Sequence, residues 1–203
     1  TMSSIKLTAD SGGGTFEIKA PSSSANTRVL TLPDTENLTL GKSSILQVKQ
    51  TSLTAVASRA TSSNDFGNIG LDSPSFTPSS GTKNLVMVTL HASSSNTTGR
   101  FGFRIVRSVG GSETIIPNSI GNADGSRQRV ASAYRQASTA DHAPLSIIIE
   151  DTHGLDGSTA VIYKVQTSGE SSDTIYLNRS KGDDNNNTYY RSISTITVME
   201  ITT

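Results

Sequence analysis

The chain contains no cysteine and no tryptophan, and its aromatic residues are limited to five Phe and five Tyr. Without cysteine, neither disulfide bonds nor thiolate metal sites can stabilise it. The 17 basic and 17 acidic side chains balance, giving a formal net charge of zero. Such a molecule has no overall field to attract a phosphate backbone, so binding to nucleic acid is not expected.

Long apolar runs are missing as well. Since no stretch of about 18 apolar residues occurs, we expect no insertion into a membrane. A basic segment followed by an apolar one, the pattern of a secretion signal, is not recognisable near the first residue. Any life outside the cell would then come by another route, such as release on a particle when the cell lyses.

What the chain has in abundance is Ser and Thr, together about 29% of its residues, in short alternating segments separated by turns. This composition and period-2 pattern predict an all-β protein without a helix, folded as an antiparallel β-sandwich of jelly-roll type. We expect residues 93–99 to close a hairpin between neighbouring strands, and residues 145–151 to be buried on both faces. The predicted strands of this sandwich are 45–58, 69–71, 84–92, 99–108, 113–120, 128–136, 145–151, 160–167, 172–178 and 192–201.

The first 44 residues differ from the rest because each alternating segment carries only two or three inward candidates. A segment with so few apolar side chains cannot close a core by itself. We therefore predict an intertwined or extended N-terminal β arm, residues 1–44, for oligomerisation and attachment, and a β-sandwich head, residues 45–203. The arm positions expected to contact other chains are Ile5, Leu7, Phe16, Ile18, Leu30, Leu32, Leu38 and Leu40.

Several phrases of the chain resemble the tail-fibre-like virion structural proteins of marine bacteriophages. They are SSIKLTADSGGGTFEIKAP with RVLTLPDT near the start, ILQVKQT at 45–51, FTPSS followed by NLVMVTL within 76–90, and YYRSISTITVMEI at the end. This resemblance implies a phage structural protein, commonly a homotrimer, that ends in a β-sandwich exposed on the virion. Such a protein would be made in the cytoplasm of the host bacterium and released on lysis.

Two functions from different classes follow from these expectations. The first is a trimeric fibre or spike whose head contacts a glycan or protein of the host surface, while its arm binds other virion proteins. The second is a capsid decoration protein that stabilises or ornaments the phage head. A polysaccharide-degrading tail enzyme is a weak third, because no nucleophile elbow G-x-S-x-G occurs and Asp141 and His142, as strand neighbours, point to opposite faces. We predict no enzyme and no catalytic residue.

Two clusters contain residue types that can bind metal ions. His153 stands near Glu150, Asp151 and Asp156, and a solvated turn is favoured there over a metal site. The Asn-rich loop after Lys181 is not an EF-hand, because positions six and twelve counted from Asp183 hold Thr188 and Ser194 rather than Gly and Glu. An irregular Ca²⁺ site in residues 183–187 stays open as the less favoured alternative to an exposed turn. No metal and no cofactor is therefore predicted.

Two groups of residues are candidates for contact with a sugar. Tyr189, Tyr190 and Arg191 could form a stacking rim, although packing of one tyrosine in the core and the other in an interface is favoured. The arginines of residues 99–108 could bind an anionic glycan, although a solvated strand face with one inward or edge arginine is favoured. These are Arg100, Arg104 and Arg107.

Overall fold

In the computed structural model, the structure describes residues 4–8, 15–19, 45–63 and 65–202. The chain divides into two compact units, Thr1–Gly41 and Lys42–Thr203. In the first unit, β1 (Ser4–Thr8) pairs antiparallel with β2 (Thr15–Lys19). The register places the predicted arm residues Ile5 opposite Ile18 and Leu7 opposite Phe16. The remaining arm candidates, Leu30, Leu32, Leu38 and Leu40, lie outside the described residues.

In its described part, the second unit is built of strands and one short 3-10 turn, Pro117–Ser119, and no helix there is long and apolar enough to span a membrane. The strands are β3 (Ile45–Leu53), β4 (Ala57–Ala60), β5 (Gly67–Asp72), β6 (Thr82–Ser94), β7 (Arg100–Val109), β8 (Ser112–Ile115), β9 (Ser132–Arg135), β10 (Ala143–Asp151), β11 (Val161–Gly169), β12 (Thr174–Leu177) and β13 (Ser194–Thr202).

These strands form two antiparallel sheets. A slash below joins two strands that occupy the same position in a sheet, one after the other. The first sheet is ordered β3/β4, β13/β12, β6, β10. The second sheet is ordered β5, β11, β7, β8/β9. Counted as eight strands, the first pairs with the last, the second with the seventh, the third with the sixth and the fourth with the fifth. This nested pairing is that of a jelly roll, and the predicted fold class is confirmed.

The prediction that residues 93–99 close a hairpin is wrong, because β6 and β7 do not pair with each other. Strand β6 has both edges occupied, by β10 on one side and by β13 and then β12 on the other. Because it cannot accept a further partner, the chain crosses to the second sheet after Ser94, and β7 pairs there with β11.

The core lies between the sheets and follows the period-2 alternation. In β7, Phe101, Phe103 and Ile105 alternate along the strand and are all buried. The expectation that residues 145–151 are buried on both faces is wrong. Leu145 and Ile149 face the core, whereas Ile148 on the opposite face is 67% exposed, because no described element of the second unit covers the outside of the first sheet.

Asn178 links two neighbouring breaks in the first sheet, one between β12 and β13 and the other between β3 and β4. This residue is buried and lies between β12 and β13 in the left-handed region, with φ of 64°. Its Nδ2 donates to the carbonyl oxygens of Leu53 at 2.7 Å and Ala55 at 2.8 Å, between β3 and β4. Its Oδ1 accepts a hydrogen bond of 2.7 Å from the Ser194 hydroxyl. One side chain therefore satisfies backbone groups that the broken ladders leave unpaired.

Candidate functional site

A cleft of about 660 Å³ opens where β7 begins and β11 ends. Gly102 and Ser168 are opposite each other in the β7–β11 register, and Gly102 lies between Phe101 and Phe103, whose side chains are buried in the core. They therefore mark the outer face of the second sheet. Ala133 of β9 and Gly169 also line the cleft. The absence of large side chains at these four positions leaves the concave space.

One wall of the cleft is the segment that leads into β9. A Cβ atom added to Gly102 would lie 2.8 Å from Val130 Cγ1 and 3.2 Å from the carbonyl oxygen of Ser132, which shows how closely this segment covers β7. The amide of Ala131 donates to the Phe103 carbonyl at 2.7 Å and fixes the approach. Glycine at position 102 is thus required by the close packing of the wall.

Phe66 is half-buried and forms an aromatic wall of the cleft. The guanidinium carbon of Arg104 lies 4.0 Å from the centroid of the Phe66 ring, a cation–π arrangement. Arg104 Nε also donates to Gln166 Oε1 at 2.8 Å. Burial lowers the pKa of Arg104 and nearby Glu113 opposes this effect, but a guanidinium stays charged at neutral pH. The aromatic wall is therefore held in place by a cation.

Positive charge exceeds negative charge around the cleft. Arg100 and Glu170 are paired at 3.3 Å, and Arg127 is paired with Asp124. Arg135 is opposite Arg100 in the β7–β9 register and so shares its face. The Arg135 Nε donates to the carbonyl oxygen of Thr98 at 3.3 Å, and no carboxylate of the described residues forms an ion pair with it.

The third arginine of β7 points the other way. Arg107 Nη1 bonds both carboxylate oxygens of Asp151, at 2.9 and 2.8 Å. The Tyr163 hydroxyl donates to the same carboxylate at 2.7 Å and accepts from Asn84 Nδ2 at 2.9 Å. Burial, followed by the charge of Asp151, raises the pKa of Tyr163 well above its ordinary value. Arg107 therefore belongs to a buried structural network and not to the cleft.

The turn that follows β10 is exposed at Thr152, Gly154 and Asp156, as predicted, but His153 itself is buried, against the prediction. Asp151 is 4% exposed and His153 is 6% exposed. His153 Nδ1 accepts from the amide of Leu155 at 3.0 Å, and its Nε2 lies 3.3 Å from Thr82 Oγ1, which is 3.0 Å from Glu200 Oε1. Because Nδ1 accepts a hydrogen bond, the ring is a neutral, packed hydrogen-bonding group, and burial lowers the pKa of His153 in the same sense. Among the described residues, no group of three or more His, Asp or Glu is placed to hold a metal ion.

The predicted sugar rim lies outside the cleft. Tyr189 is half-buried beside Gly182, and Tyr190 is 68% exposed. Arg191 is paired with Asp183 Oδ1 at 2.6 Å, and Arg179 is paired with Oδ2 at 2.7 Å. Both oxygens of the acidic residue that opens loop 183–187 are therefore engaged by guanidinium groups. Contact of Tyr189, Tyr190 and Arg191 with a sugar stays a prediction.

An apolar row crosses the outer face of the first sheet. Met199 is opposite both Val48 and Leu85 in the strand registers, and Met87 is opposite Ile148. Val48 is 51% exposed and the row ends at the exposed Ile148 on β10. Large apolar side chains grouped on one exposed face are typical of a surface that contacts another molecule.

The cleft itself was missed by the sequence interpretation. Phe66, Gly102 and Glu170 come from three separate segments, and nothing in their local patterns links them. One signal was present: in the strand FGF, glycine stands at the outward position between two inward Phe residues. A glycine inside a strand often marks a close approach of another segment.

Comparisons with known proteins give a distant likeness. No family model and no curated protein matches the chain. A structure of the infectious bursal disease virus Gx strain is similar over 94% of this chain and 44% of its own, at 13% identity and a TM-score of 0.39. A structure of the Gt strain is similar over 94% and 48%, at 13% identity and a TM-score of 0.36. The chain thus spans less than half the length of these structures, and the assignment as a jelly roll rests on its own strand pairing.

Proposed function

We propose that this chain is a virion structural protein whose jelly-roll head is displayed for contact with a glycan of the host-cell surface. The observation that carries this proposal is the cleft on the outer face of the second sheet, with a floor of small residues beside the Phe66 wall. Aromatic side chains together with a few fixed polar groups are common in ligand sites. Jelly rolls serve both as viral capsid domains and as lectin domains, which agrees with a displayed binding head.

In this proposal the chain is a homotrimer, assembled and attached to other virion proteins by the arm of residues 1–44. Half of the twelve residues that line the cleft are exposed to solvent, so a single head would bind weakly. Three linked heads would raise the apparent affinity by about 10²- to 10⁴-fold without any new contact. Specificity would then come from the cleft, and tight attachment from the trimer.

We propose binding without hydrolysis. Glu170 is the one carboxylate among the residues that line the cleft, and it is paired with Arg100. Its Oε2 also accepts the backbone amide of Arg100 at 3.0 Å. Glycosidases require two carboxyl groups on either side of the scissile bond. The described lining of the cleft contains no such pair, which supports binding without hydrolysis.

The experiment is binding of the fluorescent full-length protein to a panel of marine bacteria and to an array of immobilised bacterial polysaccharides. Phe66→Ala should abolish binding, while Tyr190→Ala, which removes an exposed aromatic ring outside the cleft, should leave it unchanged. Melting temperatures of both variants check that they are folded. Binding that is lost in Tyr190→Ala and kept in Phe66→Ala would overturn the cleft and favour the rim predicted from the sequence.

Capsid decoration is the second candidate, and the apolar row on the first sheet favours it. A decoration protein needs a surface that lies against a shell, and the row from Val48 to Ile148 is of that kind. If this face binds a phage head, the double variant Val48→Ser/Ile148→Ser should no longer sediment with heads lacking the protein. Unchanged sedimentation of this double variant with the heads would contradict decoration through the apolar row.

A further inference from the structure

We infer that the cleft selects an acidic glycan, one whose sugars carry carboxylate or sulfate groups. This inference rests on the proposed function and adds the chemical class of the ligand. It is carried by the arrangement of guanidinium groups around the cleft. Arg100 and Arg127 line it, Arg135 shares the outer face with Arg100, and Arg104 is stacked on the Phe66 wall.

The excess of positive charge is local. The chain as a whole carries 17 basic and 17 acidic side chains. Around the cleft, however, the guanidinium groups of Arg100, Arg127 and Arg135 face two carboxylates, those of Asp124 and Glu170, while the charge of Arg104 is opposed by Glu113. Since charges within about 10 Å of each other act together at moderate salt, an anion in the cleft is attracted although the molecule is neutral.

Two of the arginines are available to a ligand. Arg135 makes one hydrogen bond, to the carbonyl oxygen of Thr98, and leaves its terminal guanidinium nitrogens without a partnering carboxylate in the described part of the chain. Arg100 is paired with Glu170 at 3.3 Å, and both side chains are exposed. An exposed pair at this distance contributes little stability, so a ligand carboxylate can take over the guanidinium at small cost.

The polarity of these groups favours an acceptor-rich ligand. A guanidinium only donates hydrogen bonds, and its planar fork fits carboxylate and sulfate oxygens in pairs. A neutral sugar presents hydroxyl groups that both donate and accept, and it cannot use the fork as fully. The Phe66 wall adds an apolar surface for the carbon face of a sugar ring, which an isolated inorganic anion would not use.

The test compares four immobilised probes with the full-length protein: a uronic acid oligosaccharide, the same oligosaccharide with its carboxyl groups reduced to alcohols, a sulfated oligosaccharide, and single-stranded DNA. We expect the acidic sugars to bind at least about tenfold more tightly than the reduced one. Raising the salt concentration should remove most of this difference. At an equal concentration of charged groups, DNA should not displace the acidic sugar, because the arginines that bind the ligand surround one small cleft and do not form an extended basic surface.

Three variants locate the preference. Arg135→Gln should remove most of the preference for the acidic sugar and leave binding to its reduced counterpart unchanged. Arg135→Lys, which keeps the charge but not the fork, should restore part of it. Arg191→Gln is the matched control, since its guanidinium is also exposed but lies outside the cleft. A preference lost in Arg191→Gln and kept in Arg135→Gln would overturn the inference.

The outcomes separate this inference from the proposed function. Equal binding of the acidic and reduced sugars, abolished by Phe66→Ala, would overturn the acidic preference and leave the glycan-binding head standing. Tighter binding of DNA than of every sugar would overturn both. The absence of binding to every sugar and to every bacterium of the panel would also overturn both.

Discussion

Asn178 shows how one side chain holds the strand pattern of the first sheet together. It is buried at the point where β12 gives way to β13 and where β3 gives way to β4. Asparagine tolerates the left-handed conformation better than most residues, and its amide supplies both a donor and an acceptor. No other residue type combines these properties with a side chain of this length.

Replacement of Asn178 by Ala should destabilise the protein by about 3 kcal/mol, since buried carbonyl groups lose their donor and the left-handed φ becomes unfavourable. Asn178→Gly should be less damaging, because glycine accepts the backbone conformation. Asn186→Ala, in an exposed turn, is the control and should change stability by less than about 0.5 kcal/mol. Urea unfolding measures all three, and equal stability of Asn178→Ala and the control would contradict the proposed role.

His153 makes the stability of the head depend on pH. Its pKa is lowered in the folded state, chiefly by burial, whereas the unfolded chain takes up a proton near the ordinary value of about 6.5. As the pH falls below the pKa of the histidine in the unfolded chain, the unfolded chain takes up a proton before the folded one does. The free energy of unfolding therefore decreases as the pH is lowered. Burial, and then the neighbouring His91, also lower the pKa of His142, which acts in the same range.

The melting temperature should therefore fall as the pH is lowered from 7.5 to 5. His153→Gln should reduce the slope of this fall, and the double variant His142→Gln/His153→Gln should reduce it further. His142→Gln alone separates the two contributions. A slope that is the same in the wild type and in the double variant would show that neither histidine is the origin of the pH dependence.

At the scale of strands, the β7 sequence serves two surfaces at once. Its inward residues Phe101 and Phe103 complete the core, and Tyr134 of β9 meets the Phe101 ring with centroids 5.9 Å apart. Its outward Gly102 lets the segment before β9 pass closely over the strand. The wall of the cleft thus depends on a residue that has no side chain.

Gly102→Ala should lower stability by about 1–3 kcal/mol, because the new methyl group and Val130 cannot occupy the same space. Removing the opposing methyl groups in the double variant Gly102→Ala/Val130→Ala should recover part of this loss, with a coupling energy of about 0.5–3 kcal/mol. Gly121→Ala is the control, since an added Cβ meets nothing within 4 Å there. Additive effects of Gly102→Ala and Val130→Ala would contradict the close packing.

At the scale of the whole molecule, the hydrophobic core that the described residues form belongs to the second unit. Its residues run from Ile69 to Val198, and both sheets of the jelly roll contribute to it. The proposal assigns assembly to the first 44 residues and binding to the head. Folding and oligomerisation should then be separable.

A fragment of residues 42–203 should fold by itself and unfold with the same midpoint as the head in the full-length chain, because its core is complete. In sedimentation, the full-length chain should be a trimer and the fragment a monomer. Circular dichroism and analytical ultracentrifugation test both parts. A full-length chain that sediments as a monomer would overturn the proposed trimer, and an unfolded fragment would contradict the self-sufficient head.

The amino-acid sequence by itself determined which segments are strands and which of their residues face inward. Period-2 alternation is a local property, so β6, β7 and β11 could be predicted as strands from their own residues. The outward glycine of β7 was also visible in the sequence.

Only the tertiary structure decided which strands are neighbours, which faces are covered and which distant residues meet. The partner of β7 depended on whether both edges of β6 were already filled, and the exposure of Ile148 depended on the absence of a described element of the second unit over the first sheet. The same holds for the burial of His153 and for the cleft between Phe66, Gly102 and Glu170. Contacts between residues far apart in the chain are set by sheet pairing and packing, and these leave no local pattern in the sequence.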